Sequence, residues 1–378
     1  MKKATLKLSA LLLLLAGAAT EVNAQTTGNQ SVVTTAVPFL RISPDARSGA
    51  MGETGIASSP DANSGFWNIG KTAFSKEKYG LSASYIPWFQ DLNLKDVYLA
   101  SVGGFYKVDD ASAITLDFKY FSEGVIQFTD ANGTNLNSFK AREYAVGLGY
   151  SRKLGEKSGL GVGVKYISSD LVGGAVGGVN YQRGSSVAGD LHYFHNGTSD
   201  NGSGLNWGVT LSNLGAKVGY TENDDDKDFI PANLGVGLNY TKVFDEDNKI
   251  SFAADFNKLL VPTPPNSSDP NAIIEYRKKG VVNSWFDSFS DSGEGDSEIK
   301  EVTAGLGAEY MYKEQFAFRA GYFYENPLKG DRRYLTVGAG LKYNAVGLDL
   351  AYILSNGSGV NRNPLSNTLR FTLIFTGK

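Results

Sequence analysis

Histidine is the residue most often asked to do chemistry at neutral pH, and this chain has only His192 and His195. Three positions apart on a strand, they point to opposite faces and do not converge on a metal, which needs three or four ligands in zinc sites. The sequence contains no cysteine, so thiolate ligands, cysteine nucleophiles, disulfides and N-terminal lipidation are all excluded. A Ser-His hydrolase of the lipid surface would need a nucleophile elbow, and no Gly-x-Ser-x-Gly is present. His195 also falls on a predicted tight turn, away from outer-leaflet lipid. The run Gly173-Gly174-Ala175-Val176-Gly177-Gly178 lacks the Gly-Lys-Ser/Thr ending of a phosphate loop. The acids between Glu222 and Asp228 read as a solvated loop, with calcium or cationic bridging of surface polysaccharide as the chemical alternative and no EF-hand spacing to support it. No set of acid, base and nucleophile converges, so the reading is a protein without catalytic residues, metal or cofactor.

The remaining chemistry is that of surfaces. Pro262-Thr263-Pro264-Pro265 opens a long segment stiffly, and Trp285, Phe286 and Phe289 follow within it, with acids at 287, 291, 294, 296 and 298. Exposed aromatics either fold back or meet a partner. They are candidates for a docking wedge, because aromatic side chains anchor interfaces, or else for a cap on the mouth of the fold. The formal charge is -3, and lower still once the lysine-rich start is set aside, which argues against nucleic acid as a partner.

The elements that position these groups are strands. Lys2, Lys3 and Lys7 precede an apolar stretch from Leu6 to Ala19, and Val22-Asn23-Ala24 is a small-residue cleavage site. Residues 1–24 therefore read as an export signal, with the mature chain starting near Gln25. No later run of 18 or more apolar residues exists, so a membrane home must be built from strands. Alternation is strict in Tyr144-Ala-Val146-Gly-Leu148-Gly-Tyr150, Leu160-Gly-Val162-Gly-Val164, Leu234-Gly-Val236-Gly-Leu238 and Leu335-Thr-Val337-Gly-Ala339-Gly-Leu341. Each has one greasy face and one small or polar face.

This pattern predicts fourteen strands near 79–89, 97–107, 112–121, 141–152, 158–169, 185–194, 204–214, 231–243, 249–258, 301–312, 315–325, 332–343, 346–354 and 367–376. Mostly tight turns alternate with longer connections at 122–140, 170–184, 215–230 and 259–300. That asymmetry is expected of an all-β outer-membrane barrel with periplasmic short turns, and not of a soluble sandwich. The domain reading is then a barrel over 79–378, preceded by 25–78. Pro38, Pro44, Pro60 and several glycines make that stretch too irregular for spanning strands. Glycines on the lumen faces leave room for it as an inserted hatch.

Phe39-Leu-Arg-Ile-Ser-Pro44-Asp45-Ala-Arg47-Ser-Gly49-Ala-Met51-Gly52-Glu-Thr-Gly, followed by Ser59-Pro-Asp-Ala-Asn-Ser64 and Trp67-Asn68, resembles the hatch of the PorV family. These are outer-membrane subunits of the type IX secretion system, within a wider FadL-like group of fourteen-stranded barrels. The resemblance singles out Pro44, Asp45, Arg47, Gly49, Met51 and Gly52 as hatch-motif positions. One departure is Asn68-Ile69-Gly70, where FadL-like hatches usually carry Asn-Pro-Ala. The resemblance implies a shuttle that takes cargo from the translocon barrel SprA/Sov through the cargo's C-terminal domain. It would pass the cargo to an attachment complex with a PorU-type sortase, which links it to lipopolysaccharide. The competing reading is a FadL-like channel for hydrophobic small molecules. That reading needs an apolar pocket, and the lumen faces above, rich in Gly, Lys, Asn and Thr, are poor material for one.

Overall fold

The computed structural model describes residues 32–378 apart from 90–93, 130–131, 177, 266–268, 292–296 and 356–366. The export signal and its cleavage site lie outside the described residues, as do Gly177, Glu294 and Asp296. Among the described residues no helix is long and apolar enough to cross a membrane.

Fourteen antiparallel strands close into one barrel. In chain order the strands are β1 (Tyr79–Pro87), β2 (Val97–Lys107), β3 (Ser112–Thr129), β4 (Asn135–Lys153) and β5 (Ser158–Asp170). A small hairpin outside the wall follows, β6 (Ala175–Val176) with β7 (Val179–Asn180). The wall continues with β8 (Gly184–His195), β9 (Gly204–Gly215), β10 (Asn233–Val243), β11 (Asn248–Leu259) and β12 (Thr303–Tyr312). It ends with β13 (Phe316–Tyr324), β14 (Arg333–Tyr343), β15 (Val346–Ser355) and β16 (Leu369–Gly377). The seam pairs β1 with β16, Tyr79 opposite Gly377 and Tyr85 opposite Phe371. Closure satisfies both sheet edges, the condition for strands to stand in hydrocarbon.

The outer face is a belt of aliphatics. Leu116, Leu148, Phe318 and Leu373 are each more than half exposed. Tyrosines mark its margins: Tyr85 lies 5.4 Å from Tyr98, which lies 6.0 Å from Tyr120, and Tyr144 lies 6.3 Å from Tyr166. At the other margin Tyr79 meets Phe375 at 6.2 Å. Such a belt with aromatic girdles belongs in a bilayer. The connections at the Tyr79 end are short and those at the other end carry helices, so the Tyr79 end faces the periplasm.

Residues 36–78 occupy the lumen as short turns of helix. They include Pro38–Arg41 and Ile69–Phe74, both 3-10, with α1 (Ala46–Ala50) and α2 (Ser64–Trp67) between them. The lumen has two storeys. In the periplasmic one the inward residues are mostly small or polar, with Phe105 and Phe194 as exceptions, and glycines admit the hatch backbone. A Cβ on Gly161 would strike Ile69 and Gly70, and one on Gly321 would strike Met51 and Gly52. The outer storey is lined differently. Ile86, Leu99, Phe121 and Ile167 point inward there and pack on Val37 and Phe39. An apolar pocket exists, and the chain's own N-terminal segment fills it.

Two further elements stand where the sequence suggested only loop. In the 259–300 connection, α3 (Pro270–Lys278) starts on Asp269, whose side chain accepts from Asn271 N, and α4 (Val281–Asp287) follows.

Candidate functional site

The motif from Pro44 to Gly52 is a set of fasteners. Ser101 Oγ donates to Pro44 O at 2.7 Å, and Ala46 N donates to Thr372 Oγ1 at 2.8 Å. Asp45 caps α1 by accepting from Ser48 N at 2.8 Å, and its other oxygen accepts from Trp67 Nε1 at 2.7 Å. Burial, with the neighbouring Asp61 charge, pushes the Asp45 carboxyl up, and these two donors oppose that rise.

Arg47 is the centre of a buried ion network. Its Nε and Nη2 donate to both oxygens of Glu309 at 3.1 and 2.9 Å, and Nη1 reaches Asp61 at 2.9 Å. Arg319 donates to the same Glu309 at 2.7 Å and to Asp349 at 2.6 Å. Gly49 leaves space for Arg370, which is 1% exposed and donates to Glu53 at 2.9 Å. Met51 is buried, and Gly52 adopts a left-handed φ of 66° against the backbones of Leu306 and Tyr322. Beyond the motif, Asp255 accepts from Gly55 N at 2.7 Å and Ile56 N at 2.9 Å. Sequence reasoning missed Glu309, Arg319, Asp349, Arg370 and Asp255. Their signal was available: each is a charged residue on the small face of an otherwise alternating strand.

In Asn68-Ile69-Gly70 the backbone donor that a proline would lack is used. Ile69 N donates to His192 Nδ1 at 3.0 Å, and His192 Nε2 lies 3.0 Å from Ser212 Oγ. Asn68 accepts from Gly70 N at 2.9 Å and donates to Ile56 O and Tyr193 O. His195 points the other way and stacks on Trp207 at 5.5 Å. The two histidines thus diverge.

Between the storeys lies a cavity of about 90 Å³, bordered by Arg41, Asp117, Lys119, Lys165 and Asp190. Lys165 pairs with Asp190 at 3.2 Å, and Lys119 donates to Leu40 O and Ile42 O. Its charged walls suit water, and its size is that of a few water molecules.

At the outer face, α3 is pinned to the barrel mouth. Tyr276 packs on Phe229 and Val261 and donates to Pro262 O at 2.9 Å. Lys217 donates to Arg277 O and Lys279 O at the end of α3, and Arg277 pairs with Asp228 at 2.8 Å. Part of the acidic run is thereby committed to an ion pair. On α4 and just after it the three aromatics differ. Phe286 is 72% exposed, Phe289 is 47% exposed with Lys258 Nζ 5.6 Å from its ring, and Trp285 is half-buried. Asp291, Glu298 and Glu301 bring carboxylate oxygens within 4.8 Å of one another. Lys258 already contacts Glu298 at 3.0 Å and Glu301 at 2.6 Å, and Lys329 reaches Glu301 at 3.0 Å, so lysines already pair with two of the three carboxylates.

A closed fourteen-stranded wall, a belt of exposed aliphatics and an inserted N-terminal hatch define an outer-membrane barrel of the FadL-like class. The Ralstonia pickettii toluene transporter TbuX is similar at a TM-score of 0.56 and 13% identity, over 89% of this chain and 99% of that one. A Pseudomonas aeruginosa FadL homologue aligns at a TM-score of 0.47 and 12% identity, over 92% of this chain and 99% of that one. At 13% identity the likeness to TbuX is one of fold. No curated protein matches the sequence. Residues 25–266 match the family model described as type IX secretion system protein PorV, and the chain belongs to that family.

Proposed function

We propose that this protein is the cargo shuttle of a type IX secretion system, working through its outer surface rather than through a pore. It would receive substrates from the SprA/Sov translocon by their C-terminal domains and deliver them to a PorU-type sortase complex. Family membership supports the secretion role. The observation that carries the surface reading is the filled lumen: Val37 and Phe39 occupy the apolar storey, and beneath it lies a cavity of about 90 Å³ with mixed charged and apolar walls. This filling favours the surface reading over a channel for apolar molecules. On α3, on α4 and just after it the exposed apolar groups are Ile273, Val282, Phe286 and Phe289, with Trp285 at their edge. We assign partner docking to Trp285, Phe286 and Phe289, with Phe286 as the principal contact.

The test replaces all three aromatics with serine. The barrel should remain heat-modifiable, while cargo secretion and co-purification of a very large barrel partner both fall. Normal secretion by the triple variant would confine the aromatics to capping the mouth.

A further inference from the structure

We infer that the outer mouth of the barrel binds a calcium ion between the carboxylates of Glu123 and Glu143. Glu143 stands on β4 opposite Phe121 of β3 and Ser169 of β5, one residue beyond the girdle residue Tyr144. It points inward and is 1% exposed. Its Oε1 accepts from Ser169 Oγ at 2.7 Å. Ser169 Oγ lies 2.8 Å from the hydroxyl of Tyr220, in the outer connection between β9 and β10. The other oxygen of Glu143, Oε2, is enclosed and has no hydrogen-bond partner. The group lying against this carboxyl is a second one, that of Glu123.

Glu123 comes there through a fault in the ladder. Ser122 pairs with Arg142 and Gly124 with Ala141, so Glu123 is the extra residue of a bulge, a device that re-aims a side chain at a barrel rim. Two carboxylates in contact repel, and burial sharpens the repulsion; a shared proton or a bound cation relieves it. Among the described residues neither meets a lysine or arginine. The Asp291 cluster differs, since Lys258 and Lys329 already pair with two of its carboxylates. A shared proton leaves one negative charge without a counter-ion beside the apolar cluster of Phe121, Ile167 and Val218, whereas a divalent cation cancels both. The donors are all oxygen: two carboxylates and the hydroxyls of Ser169 and Tyr220. Such a set suits a hard cation, and its irregular placement suits calcium better than magnesium, which demands an octahedron. No nitrogen or sulfur is there to favour zinc. Glu123 is half-buried, so the pair opens toward the outer medium, from which water completes the coordination. The site joins β3, β4 and β5 to the 215–230 connection through Tyr220. That connection also carries Lys217 and Asp228, which hold α3. Calcium thereby sets how firmly the outer face is held, whatever partner meets it.

The test uses the full-length folded barrel in detergent, stripped with EDTA at neutral pH, with terbium as a luminescent stand-in for calcium. Tyr220 supplies the sensitising ring. Tyrosine excitation should give terbium emission that calcium displaces, with a dissociation constant for calcium on the order of 0.1–1 mM, the range of extracellular sites. Glu143→Gln and Glu123→Gln should each weaken binding about tenfold or more, because each removes ligand charge. Asp291→Asn should leave it unchanged. Calcium should also slow tryptic cutting at Lys217 and Lys227 in the parent and not in Glu143→Gln. Emission that survives both glutamine variants, or that Asp291→Asn abolishes, overturns the inference. So does the absence of emission that calcium displaces; a protonated-carboxyl infrared band that is lost in Glu143→Gln and indifferent to calcium would then assign the pair to a shared proton. Each variant is scored only if heat-modifiable, and Glu123→Gln, at the half-buried position, decides if Glu143→Gln does not fold.

Discussion

Arg47 and Glu309, 262 positions apart in sequence, form a two-pronged ion pair inside the barrel, at 3.1 and 2.9 Å. One belongs to the hatch and the other to β12. Arg47 and Glu309 have side chains only 11% and 4% exposed, so the pair is screened little by solvent. Removing one partner strands the other in a site that water does not repair. Arg47→Ala leaves Glu309 with Arg319 alone and Asp61 without its cation. We expect a loss of about 3 kcal/mol in hatch docking, at the low end for a broken buried pair. Limited proteolysis from the periplasmic side should then cut 43–78 while the barrel stays intact; resistance equal to the parent would show that the pair is dispensable.

Ile69→Pro tests the departure from the proline found in related hatches. Proline has no N–H, so His192 Nδ1 would lose its donor at a buried position. The expected cost is about 1–3 kcal/mol, that of a buried acceptor left unsatisfied. A lower midpoint of denaturation in detergent is the readout. An unchanged midpoint would mean that another donor replaces the amide.

Gly52→Ala combines a left-handed φ with a Cβ directed into the backbones of Leu306 and Tyr322. The conformational penalty alone is of order 1 kcal/mol, and the collision adds to it. We expect this variant to reach the membrane poorly and to lose heat-modifiability. By contrast, Gly155→Ala, where nothing lies within 4 Å, should be neutral.

Lys71 supplies a pH dependence. It is 1% exposed, and its ammonium donates to Gly55 O at 2.6 Å and Ser58 Oγ at 3.0 Å. Burial pushes it down to about 8 from 10.5. Below about 8 both folded and unfolded states carry the proton, and the full cost of burying the charge stands. Between there and 10.5 the unfolded state binds more protons, so hatch stability rises with pH across that window. Denaturant release of the hatch should need more urea at pH 10 than at pH 8. The increment should vanish in Lys71→Met, and a fall on alkalinisation would refute the sign.

The wall was legible because its period is simple. The segment read as 158–169 is β5, Ser158–Asp170, and the one read as 97–107 is β2 without change. The strands that ran long were β3 and β4, which continue to Thr129 and back from Asn135. There Gln127, Ser138 and their neighbours stand beyond the lipid, and a strand without a greasy face gives little pattern. The helices at the outer face were missed for the opposite reason. Asp269-Pro270 is a good helix start, but α3 and α4 are short and were masked by a proline-rich opening. Least legible was the outer storey. Ile86, Leu99 and Phe121 are apolar like their lipid-facing neighbours, and only the closed wall shows which way they point. Where the sequence suggested three equivalent aromatics, α4 buries much of Trp285 and leaves Phe286 out.

The bond from Ala46 N to Thr372 Oγ1 spans 326 positions, nearly the whole chain. It fixes an order of events. The hatch leaves the export machinery first, yet its anchors on β12, β14 and β16 are made last. Contacts of such high sequence separation form slowly, because the loop they close must be ordered before they give anything back. Until then residues 36–78 have only the wall from β2 to β11 to dock on, and Arg47, Ala46 and Gly52 lack their partners. Sealing β1 to β16 and completing the hatch contacts are thus expected to come together, late in biogenesis. A chain stopped short of β16 should remain a client of periplasmic holding factors rather than a smaller barrel.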